Sequence, residues 1–290
     1  MNVSLVVNPV AGNRAFKHID RIRNLLEGRI SLSTFITKKR GDALEFARTV
    51  SGTDRILVAS GDGTINEVLN GLRNSDNPDQ HRIPVAVIPL GTTNVLAKEV
   101  GIPETVEAAV DLALKGEQKR ISLGRINGRY FSLMAGIGFD GAAVLGVKND
   151  FVKRMSGKAA HVVSGLKVLQ RYNPPNLTVK TDKDEYRAYT AVISNARCYG
   201  GHFYVTPEAS ITEAVLDICL FKGRTRRSLL RFITGILSKK HLDYDDVTVV
   251  KAREVEVTSE GTVHVQIDGD YFGTLPVKID VVPDAASLVW

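Results

Sequence analysis

The chain has 290 residues, of which 43% are hydrophobic and 24% charged, and its formal net charge is +6. This length allows two domains of ordinary size, and the composition is typical of a globular protein with a buried core. No apolar run is long enough to span a bilayer, and Cys198 and Cys219 lack the spacing of a zinc site or a disulfide framework. We therefore expect a cytoplasmic protein, whose charge suits either an anionic partner or solubility alone.

The first part of the chain alternates predicted strands and helices. The predicted strands are NVSLVVN, SLSTFIT, RILVAS and IPVAVIPLG, and the predicted helices are residues 19–26, GDALEFARTV, TINEVLNGL, TTNVLAKEVG and ETVEAAVDLALKG. This alternation predicts an α/β domain with a mostly parallel sheet covered by helices on both faces. Ligands of such sheets bind beyond the carboxyl ends of the strands. The candidate loops are therefore residues 8–13, 37–42, 60–64 and 89–94.

The second part is predicted to be mainly antiparallel β, with a sandwich-like body. It opens with a hairpin turning at Asn127-Gly128, followed by a helical segment at about residues 151–171. Later strands include YRAYTAVISNA, VLDICLF and TVHVQID, and one basic helix, RRSLLRFITGILSKK, interrupts them. We expect a nucleotide-binding domain at residues 1–122 and a β-rich acceptor domain at 123–290. Residues 280–290 are candidates to pack back on the first domain.

The segment SGDGTINEVLNGL combines a helix start with two glycines and a carboxylate. One predicted helical face consists of Ile65, Val68, Leu69 and Leu72. Thr64 followed by Glu67 predicts a capping box. The two glycines beside Asp62 allow a close backbone approach, and the helix start beyond them attracts anions. An aspartate there indicates phosphate chemistry that involves a metal or a transferable proton.

The other strand-end loops also suit a nucleotide. NPVAGNR places Arg14 after a tight turn, ITKKRGD brings Thr37 and three basic residues, and PLGTTN repeats Gly and Thr before a helix. Each loop alone is typical of an ordinary helix start, whereas four together favour a nucleotide site. The first loop lacks the Walker pattern, and Asn66 stands where a Rossmann fingerprint needs its third glycine.

Six segments in chain order resemble a known family. They are LVVNPVAGN, ITKKRGDALEFA, SGDGTINEVLNGL, GTTNVLAKEVGIP, LMAGIGFDGAAV and VQIDGDYFGTLPVKIDVVPDA. In this order they resemble the diacylglycerol kinase and sphingosine kinase superfamily of lipid kinases, although NAD kinases share the Gly-Asp-Gly-Thr motif. The resemblance implies an N-terminal α/β domain like that of these kinases, a C-terminal antiparallel β-sandwich, and an active site in the cleft between the two domains.

The resemblance also implies ATP and Mg²⁺ as cofactors and a set of nucleotide-binding positions. These are Asn8, Thr37, Ser60, Gly61, Asp62, Gly63, Thr64, Asn66, Glu67, Gly91, Thr92 and Asn94. Asp62 matches the base of some members, whereas Asp270 matches the closing carboxylate, usually glutamate, that has this role in bacterial members. Asp268 lies in the same motif. If both residues stand on one strand, Asp268 and Asp270 point to one face, and one could bind Mg²⁺ while the other accepts a proton. Asp-Gly-Asp is also ordinary turn chemistry.

A structural Mg²⁺ site of bacterial members matches Ser210, Glu213 and Val215. Here Glu-Ala replaces the family's Asp-Gly in this loop, so the resemblance is weaker at this position. The lost glycine can change the backbone of the loop.

The acceptor and the partners follow less directly. The basic helix RRSLLRFITGILSKK can lie on an anionic membrane surface or pack on the core, and FVKRMSGKAAHVVSGLKVLQRY can line a lipid entrance or simply pack. We expect a lipid kinase that contacts the membrane peripherally, with a homodimer through an edge strand as a further possibility.

The alternatives are a kinase of a soluble acceptor such as NAD and a non-catalytic lipid- or nucleotide-binding regulator. No recognition motif supports nucleic-acid binding. The scattered histidines, among them His161, His202 and His264, predict no metal site.

Overall fold

The computed structural model describes residues 1–11, 15–147, 169, 173–201 and 203–290. They divide into two compact units, the first made of Met1–Leu123 and Val282–Trp290, the second of Gly124–Val281. Arg14, His161, His202 and the helical segment predicted at about residues 151–171 lie outside the described residues, as does most of FVKRMSGKAAHVVSGLKVLQRY.

The first unit alternates strands and helices. Its elements are β1 (Asn2–Val7), α1 (Ala15–Leu26), β2 (Ser31–Ile36), α2 (Asp42–Thr49), β3 (Arg55–Ser60), α3 (Asp62–Arg73), a 3₁₀ turn (Pro78–Arg82), β4 (Val85–Pro89), α4 (Val95–Glu99) and α5 (Val106–Lys115). The sheet order is β2-β1-β3-β4, with every pair parallel. Leu288 and Val289, near the chain end, pair in parallel with β4. The predicted mostly parallel α/β fold is confirmed.

Burial explains why β3 and β4 are mostly apolar. All of β4, and all of β3 after Arg55, is buried, as expected of parallel strands with helices on both faces. Helix α2 packs against α3, and α5 packs against both α1 and β4. The predicted apolar face of α3 is buried at all four positions, Ile65, Val68, Leu69 and Leu72.

The second unit is mainly antiparallel. Its elements are β5 (Gln118–Ile126), β6 (Arg129–Phe131), β7 (Met134–Ile137), α6 (Phe139–Val147), β8 (Leu177–Thr181), β9 (Glu185–Ala188), β10 (Thr190–Ser194), β11 (Cys198–Tyr199), β12 (Phe203–Tyr204), β13 (Leu216–Phe221), α7 (Arg226–Ser238), a 3₁₀ turn (His241–Asp243), β14 (Val247–Ala252), β15 (Glu254–Ser259), β16 (His264–Ile267), β17 (Asp270–Thr274) and β18 (Val277–Val289). Strands β5 and β18 contribute residues to both units.

Two antiparallel sheets form the body of this unit. One has the order β14-β13-β10-β7-β16-β17, and in the other β15 pairs with the first part of β18 and with β8, which pairs with β9. Alternate residues of the two sheets share one buried cluster, which includes Ile137, Ile193, Ile218, Val265, Val179, Val257 and Ile279. This core, built from both inner faces, is that of a sandwich. The predicted sandwich is therefore confirmed.

Two local predictions had different outcomes. The hairpin at Asn127-Gly128 is confirmed, because both residues have positive φ, 44 and 89, as a two-residue turn requires. The prediction of YRAYTAVISNA as one strand is wrong, since β9 and β10 belong to different sheets and Tyr189 lies between them. No glycine or proline marks this change of sheet. Along the described parts of the chain, none of the helices combines the length and apolar character needed to cross a lipid bilayer.

Candidate active site

Two glycines bring the loops after β3 and β4 into direct backbone contact. A Cβ built on Gly91 would lie 2.5 Å from the Cα of Gly61, and one on Gly61 would lie 3.1 Å from the Cα of Gly91. Gly61 has a φ of −102, so its role here is close approach rather than a left-handed backbone. This contact lies at the carboxyl ends of two parallel strands, where ligands of such sheets bind.

Asp62, the first residue of α3, stabilises this contact by hydrogen bonds to the start of α4. Its Oδ2 accepts the N–H of Val95 and its Oδ1 accepts the N–H of Leu96, each at 3.0 Å. These are amides at the start of α4, which no bond inside that helix satisfies. A carboxylate has about four acceptor positions, so Asp62 keeps roughly half of them for a further partner.

Hydroxyl and amide side chains join the loop after β1 to the loop after β3. Thr64 Oγ1 accepts hydrogen bonds from Asn8 Nδ2 at 3.3 Å and from Ser60 Oγ at 2.8 Å. Ser60 and Thr64 are buried. The Asn8 Oδ1 accepts the N–H of Val10 at 3.1 Å, which shapes the first loop. The structure thus brings Asn8, Ser60 and Thr64 together as one polar cluster.

The predicted capping box of Thr64 and Glu67 is wrong. The N-cap residue of α3 is Gly61, with no side-chain cap, so Thr64 lies inside the first turn. Glu67 Oε1 instead accepts the N–H of Gly41, 2.9 Å away in the loop after β2. The side chains of both residues form hydrogen bonds with neighbouring loops at the edge of the sheet. Residue spacing in the sequence cannot reveal such tertiary contacts.

The loop after β2 is held by backbone bonds and by a second aspartate. Thr37 is buried, and its N–H donates to the C=O of Val7 at 2.9 Å. Asp42 Oδ2 accepts the N–H groups of Lys38 and Lys39 at 2.8 and 3.0 Å. These amide hydrogen bonds, first that of Lys38, hold the pKa of the Asp42 carboxyl below its usual value.

The remaining predicted positions of this unit differ in exposure. Thr92 is exposed, Gly63 is exposed with open space where a Cβ would stand, and Asn94 donates from Nδ2 to the C=O of Gly91 at 3.0 Å. The buried Oδ1 of Asn94 finds no hydrogen-bond partner in the described chain. Asn66, by contrast, is buried and its Oδ1 accepts from Asn70 Nδ2 at 3.0 Å. Asn66 therefore packs inside the unit.

In the second unit, Asp268 and Gly269 form the turn between β16 and β17. Their φ values are 48 and 82, and Ile267 pairs with Asp270 across the turn, which is the geometry of a two-residue hairpin. The premise that Asp268 and Asp270 stand on one strand is therefore wrong. The turn separates their environments.

The Asp268 carboxylate is fully engaged. Oδ2 accepts the N–H and Oγ–H of Ser132 at 2.8 and 3.0 Å, and Oδ1 accepts the N–H groups of Leu133 and Met134 at 2.9 and 3.0 Å. These four bonds fill the acceptor capacity of a carboxylate. Burial raises the pKa of Asp268, while the same hydrogen bonds oppose that rise. Three of the four donors are backbone amides, and no sequence motif predicts these partners.

Asp270, at the start of β17, is in a different setting. Its side chain is 37% exposed, and its Oδ2 lies 4.0 Å from the guanidinium of Arg129. The sequence did not single out Arg129, which directly follows the Asn127-Gly128 turn. Asp270 therefore faces a cation and is partly exposed to solvent.

The loop matched to a structural metal contains a lysine contact instead. Lys251 Nζ lies 3.5 Å from Glu213 Oε2 and 3.9 Å from Asp217 Oδ1. The C=O of Ser210 accepts the N–H of Glu213 at 3.0 Å, and Val215 is half-buried. Within the described ranges, no three acidic, histidine or cysteine side chains are grouped as metal ligands. Lys251 thus lies against the acidic side chains of this loop, Glu213 and Asp217.

Helix α7, predicted from the basic segment, has two distinct faces. Leu229 and Phe232 are buried, and Phe232 stacks on Phe221 of β13 with ring centroids 4.6 Å apart. The opposite face exposes Leu230 at 46% and Leu237 at 54%. The interpretation of a helix that packs on the core is therefore confirmed for one face, while the other face is exposed among the described residues.

Cys198 and His264 are the other residues considered in the sequence analysis. Cys198 is buried. His264 Nδ1 lies 3.3 Å from the hydroxyl of Tyr271, as expected of a structural histidine.

Comparison with known proteins agrees with this geometry over almost the whole chain. The family model of the diacylglycerol kinase catalytic domain matches residues 2–126, and the model described as the YegS C-terminal NAD kinase beta sandwich-like domain matches residues 134–290. A diacylglycerol kinase of Bacillus subtilis is 31% identical over 94% of this chain and 90% of its own length. One of Mycobacterium tuberculosis is 32% identical over 84% of this chain and 79% of its own.

Solved structures extend the comparison to the fold. A Bacillus anthracis structure, assigned provisionally as a diacylglycerol kinase, superposes with a TM-score of 0.84 at 25% sequence identity and covers 100% of this chain and 97% of its own. The two family models, the sequence relatives and this superposition agree. The chain therefore belongs to the diacylglycerol kinase family, whose members are phosphotransferases with an alcohol group as acceptor.

Proposed function

We propose that the protein transfers the γ-phosphate of ATP to the hydroxyl of a membrane lipid, with diacylglycerol as the first candidate. Membership of the family implies ATP use and a lipid substrate. The observation that carries the proposal is the backbone contact of Gly61 with Gly91, braced by Asp62. It aligns two glycine loops and the start of α3 at the edge of the sheet, where backbone N–H groups can bind phosphates.

The nucleotide-binding positions follow from this arrangement. Gly61, Gly63 and the start of α3 would contact phosphates, with Gly91 and the exposed Thr92 on the neighbouring loop. Asn8, Ser60 and Thr64 would hold the first and third loops in register, while Thr37 and Glu67 support the loop after β2. Asn94 Oδ1 lies buried beside Gly91, so Asn94 supports this loop from within. The buried Asn66 supports α3 from within.

Asp62 fits a Mg²⁺ ion that arrives with the nucleotide. Each of its oxygens accepts one hydrogen bond from a backbone N–H and keeps acceptor capacity. Mg²⁺ is usually held by one or two carboxylates together with substrate phosphates. When bound, such an ion would neutralise charge on the transferred phosphoryl group. At the loop of Ser210, Glu213 and Val215 we propose no metal, because a cation there would have to displace Lys251.

We assign the proton-accepting role to Asp270. Asp268 has no acceptor position left and serves to hold the turn, whereas the acceptor capacity that Asp62 keeps beside the amides of α4 is assigned to Mg²⁺. A carboxylate within hydrogen-bond reach of the acceptor hydroxyl takes its proton as the new oxygen–phosphorus bond forms, a step that contributes typically ~10²–10⁴-fold. Aspartate in place of the family's usual glutamate shortens the reach by one methylene.

The exposed face of α7 is the proposed contact with the membrane. Leu230 and Leu237 are exposed, and basic residues stand at both ends of the helix, Arg226, Arg227, Lys239 and Lys240. An apolar stripe between cations suits an anionic phospholipid surface. Replacing Leu230 and Leu237 by glutamine should weaken binding to phosphatidylglycerol-containing vesicles by about tenfold or more per leucine. Thr234→Gln, on the same exposed side, is the control. Unchanged vesicle binding of the leucine variants would contradict the assignment.

A homodimer through edge strand β14 is the corresponding proposal for assembly. Strand β14 is the last strand of the six-stranded sheet in the described chain, and an edge strand can pair with a second copy. Sedimentation or light scattering would measure the mass, and a monomer at every accessible concentration would contradict the proposal.

Transfer from γ-labelled ATP tests the function directly. We expect label in a lipid from a panel containing diacylglycerol, sphingoid bases and ceramide, and none in NAD. Label in NAD alone would contradict the lipid proposal and favour a soluble acceptor. Mass analysis of phosphorylated lipids after overproduction would identify the acceptor.

A further inference from the structure

A buried polar relay lies behind the turn that presents Asp270. Asp140, in the first turn of α6, is 8% exposed. Its Oδ2 accepts a hydrogen bond from Gln266 Nε2 at 2.6 Å, and its Oδ1 accepts one from the hydroxyl of Tyr199. Gln266 is 2% exposed, and its Oε1 accepts the N–H of Gly269 at 2.8 Å. The relay therefore runs from Asp140 through Gln266 to the second residue of the turn.

The charge on Asp140 determines the orientation of the Gln266 amide. An ionised carboxylate only accepts hydrogen bonds, so Gln266 must direct its NH₂ group toward Asp140 and its oxygen toward Gly269. Turning the amide over would place its oxygen against a carboxylate oxygen and its NH₂ against the N–H of Gly269. Burial, followed by the Asp140 charge, raises the pKa of Tyr199 well above its usual value, which keeps that hydroxyl a donor.

Glycines make room for this relay. A Cβ on Gly136 would overlap Asp140 Oδ2, and a Cβ on Gly141 would overlap the backbone of His264. The segment AGIGFDG thus allows the Asp140 carboxylate to lie against β7 and α6 to lie against β16. Gly136 and Gly141 are thus explained by close packing, whereas Gly138 has a positive φ of 91.

The turn is held from two sides. On one side Asp268 bonds to Ser132, Leu133 and Met134, and on the other Gln266 holds Gly269. Asp270 follows directly. A two-residue turn has few free dihedral angles. Holding the side chain of Asp268 and the N–H of Gly269 therefore also fixes the backbone direction at Asp270.

We propose that Asp140 and Gln266 are positioning residues that act through the Asp268–Gly269 turn to aim the Asp270 carboxylate. The proposal rests on the proposed function, which gives Asp270 the proton-accepting role. Neither residue is proposed to touch substrate. Loss of the relay should lower kcat and leave the KM for ATP unchanged, because nucleotide contacts are assigned to the other unit.

Gln266→Met is the first variant, since it keeps the volume and removes both hydrogen bonds. We expect kcat to fall about 10- to 100-fold, as is typical when a catalytic group is misplaced by about 1 Å. Asp140→Asn should act in the same direction, because one of the two oxygens that accept from Tyr199 and Gln266 becomes an NH₂ group, which is a donor. Gln80→Met is the matched control: Gln80 is another buried glutamine, bonded to the C=O of Val50, and its loss should leave kcat unchanged.

A double-mutant cycle with Asp270 separates this proposal from the proposed function. In the Asp270→Asn background, Gln266→Met should cause little further loss, because residues that act as a unit are not additive. The Asp270→Glu background keeps a carboxylate at this position, so Gln266→Met should still lower kcat there. A loss in the Asp270→Asn background equal to that in the wild type, or a wild-type kcat for Gln266→Met, would overturn the relay. Full activity of Asp270→Asn would instead overturn the assignment of Asp270, whatever Gln266→Met does.

Discussion

Asp62 in the first unit and Asp268 in the second solve a similar structural problem with different outcomes. Each lies beside a glycine after a strand, and each accepts the N–H groups of a neighbouring segment. Asp62 accepts two amides and keeps acceptor capacity, whereas Asp268 accepts four hydrogen bonds and keeps none. The number of donors around a carboxylate, rather than its motif, thus separates a group that can meet a cation from one that only holds the backbone.

The largest expected effect is on stability at Asp268. Asp268→Ala leaves three buried amides and a hydroxyl without an acceptor, so we expect a loss of about 3–5 kcal/mol in the free energy of unfolding. Denaturant unfolding would measure it. Asp268→Asn should cost less, because one acceptor oxygen remains. An alanine variant as stable as the wild type would contradict the structural role.

The contact of Gly61 with Gly91 gives the next effect. Gly91→Ala forces a Cβ toward the Gly61 Cα, 2.5 Å away, and should cost about 1–3 kcal/mol of stability and raise the KM for ATP. Gly63→Ala is the matched variant, since its Cβ meets open space. On α3 it should stabilise the fold by about 0.5–1 kcal/mol while weakening ATP binding, if phosphates occupy the start of α3. Unchanged ATP affinity in both variants would contradict the loop assignment.

Much of the first unit could be predicted because its evidence is local. The apolar face of α3 follows from residue spacing, and the Asn127-Gly128 turn follows from the backbone freedom of two residues. The partners of Asp268 could not be predicted, since they are amides of Ser132, Leu133 and Met134, more than a hundred positions earlier. The same holds for Glu67. Its spacing from Thr64 predicts a capping box, but in the fold its carboxylate accepts a hydrogen bond from the N–H of Gly41. Side-chain types are read from sequence, but their competition for distant donors is not.

A smaller effect is expected at Lys251. Burial raises the pKa of Asp217, and the Lys251 charge opposes this rise. Lys251→Met should therefore raise that pKa further and cost about 1 kcal/mol near neutral pH. A group whose pKa is raised in the folded state stabilises the fold below its unfolded pKa, and that stability is lost as pH rises through the folded pKa. The loss of stability in Lys251→Met should therefore shrink toward pH 4.

Thermal unfolding with EDTA or Mg²⁺ should leave the wild type unchanged. A large EDTA effect would show that the loop binds a metal.

The smallest effect is expected at Asp42. Its carboxyl has a lowered pKa in the folded protein, caused first by the Lys38 amide. Its contribution is therefore present above the unfolded value of 3.8 and is lost as pH falls through the lower folded value. The stability difference between the wild type and Asp42→Asn should close on acidification. A difference that persists to the lowest pH at which the protein folds would contradict this account.

The most direct test of the central claim, that Asp270 accepts the proton while Asp62 and Asp268 organise the backbone, is the kcat of Asp270→Asn on diacylglycerol in mixed micelles at saturating ATP. We expect a loss of about 10²–10⁴-fold with wild-type unfolding and ATP affinity. A kcat close to that of the wild type would contradict the claim.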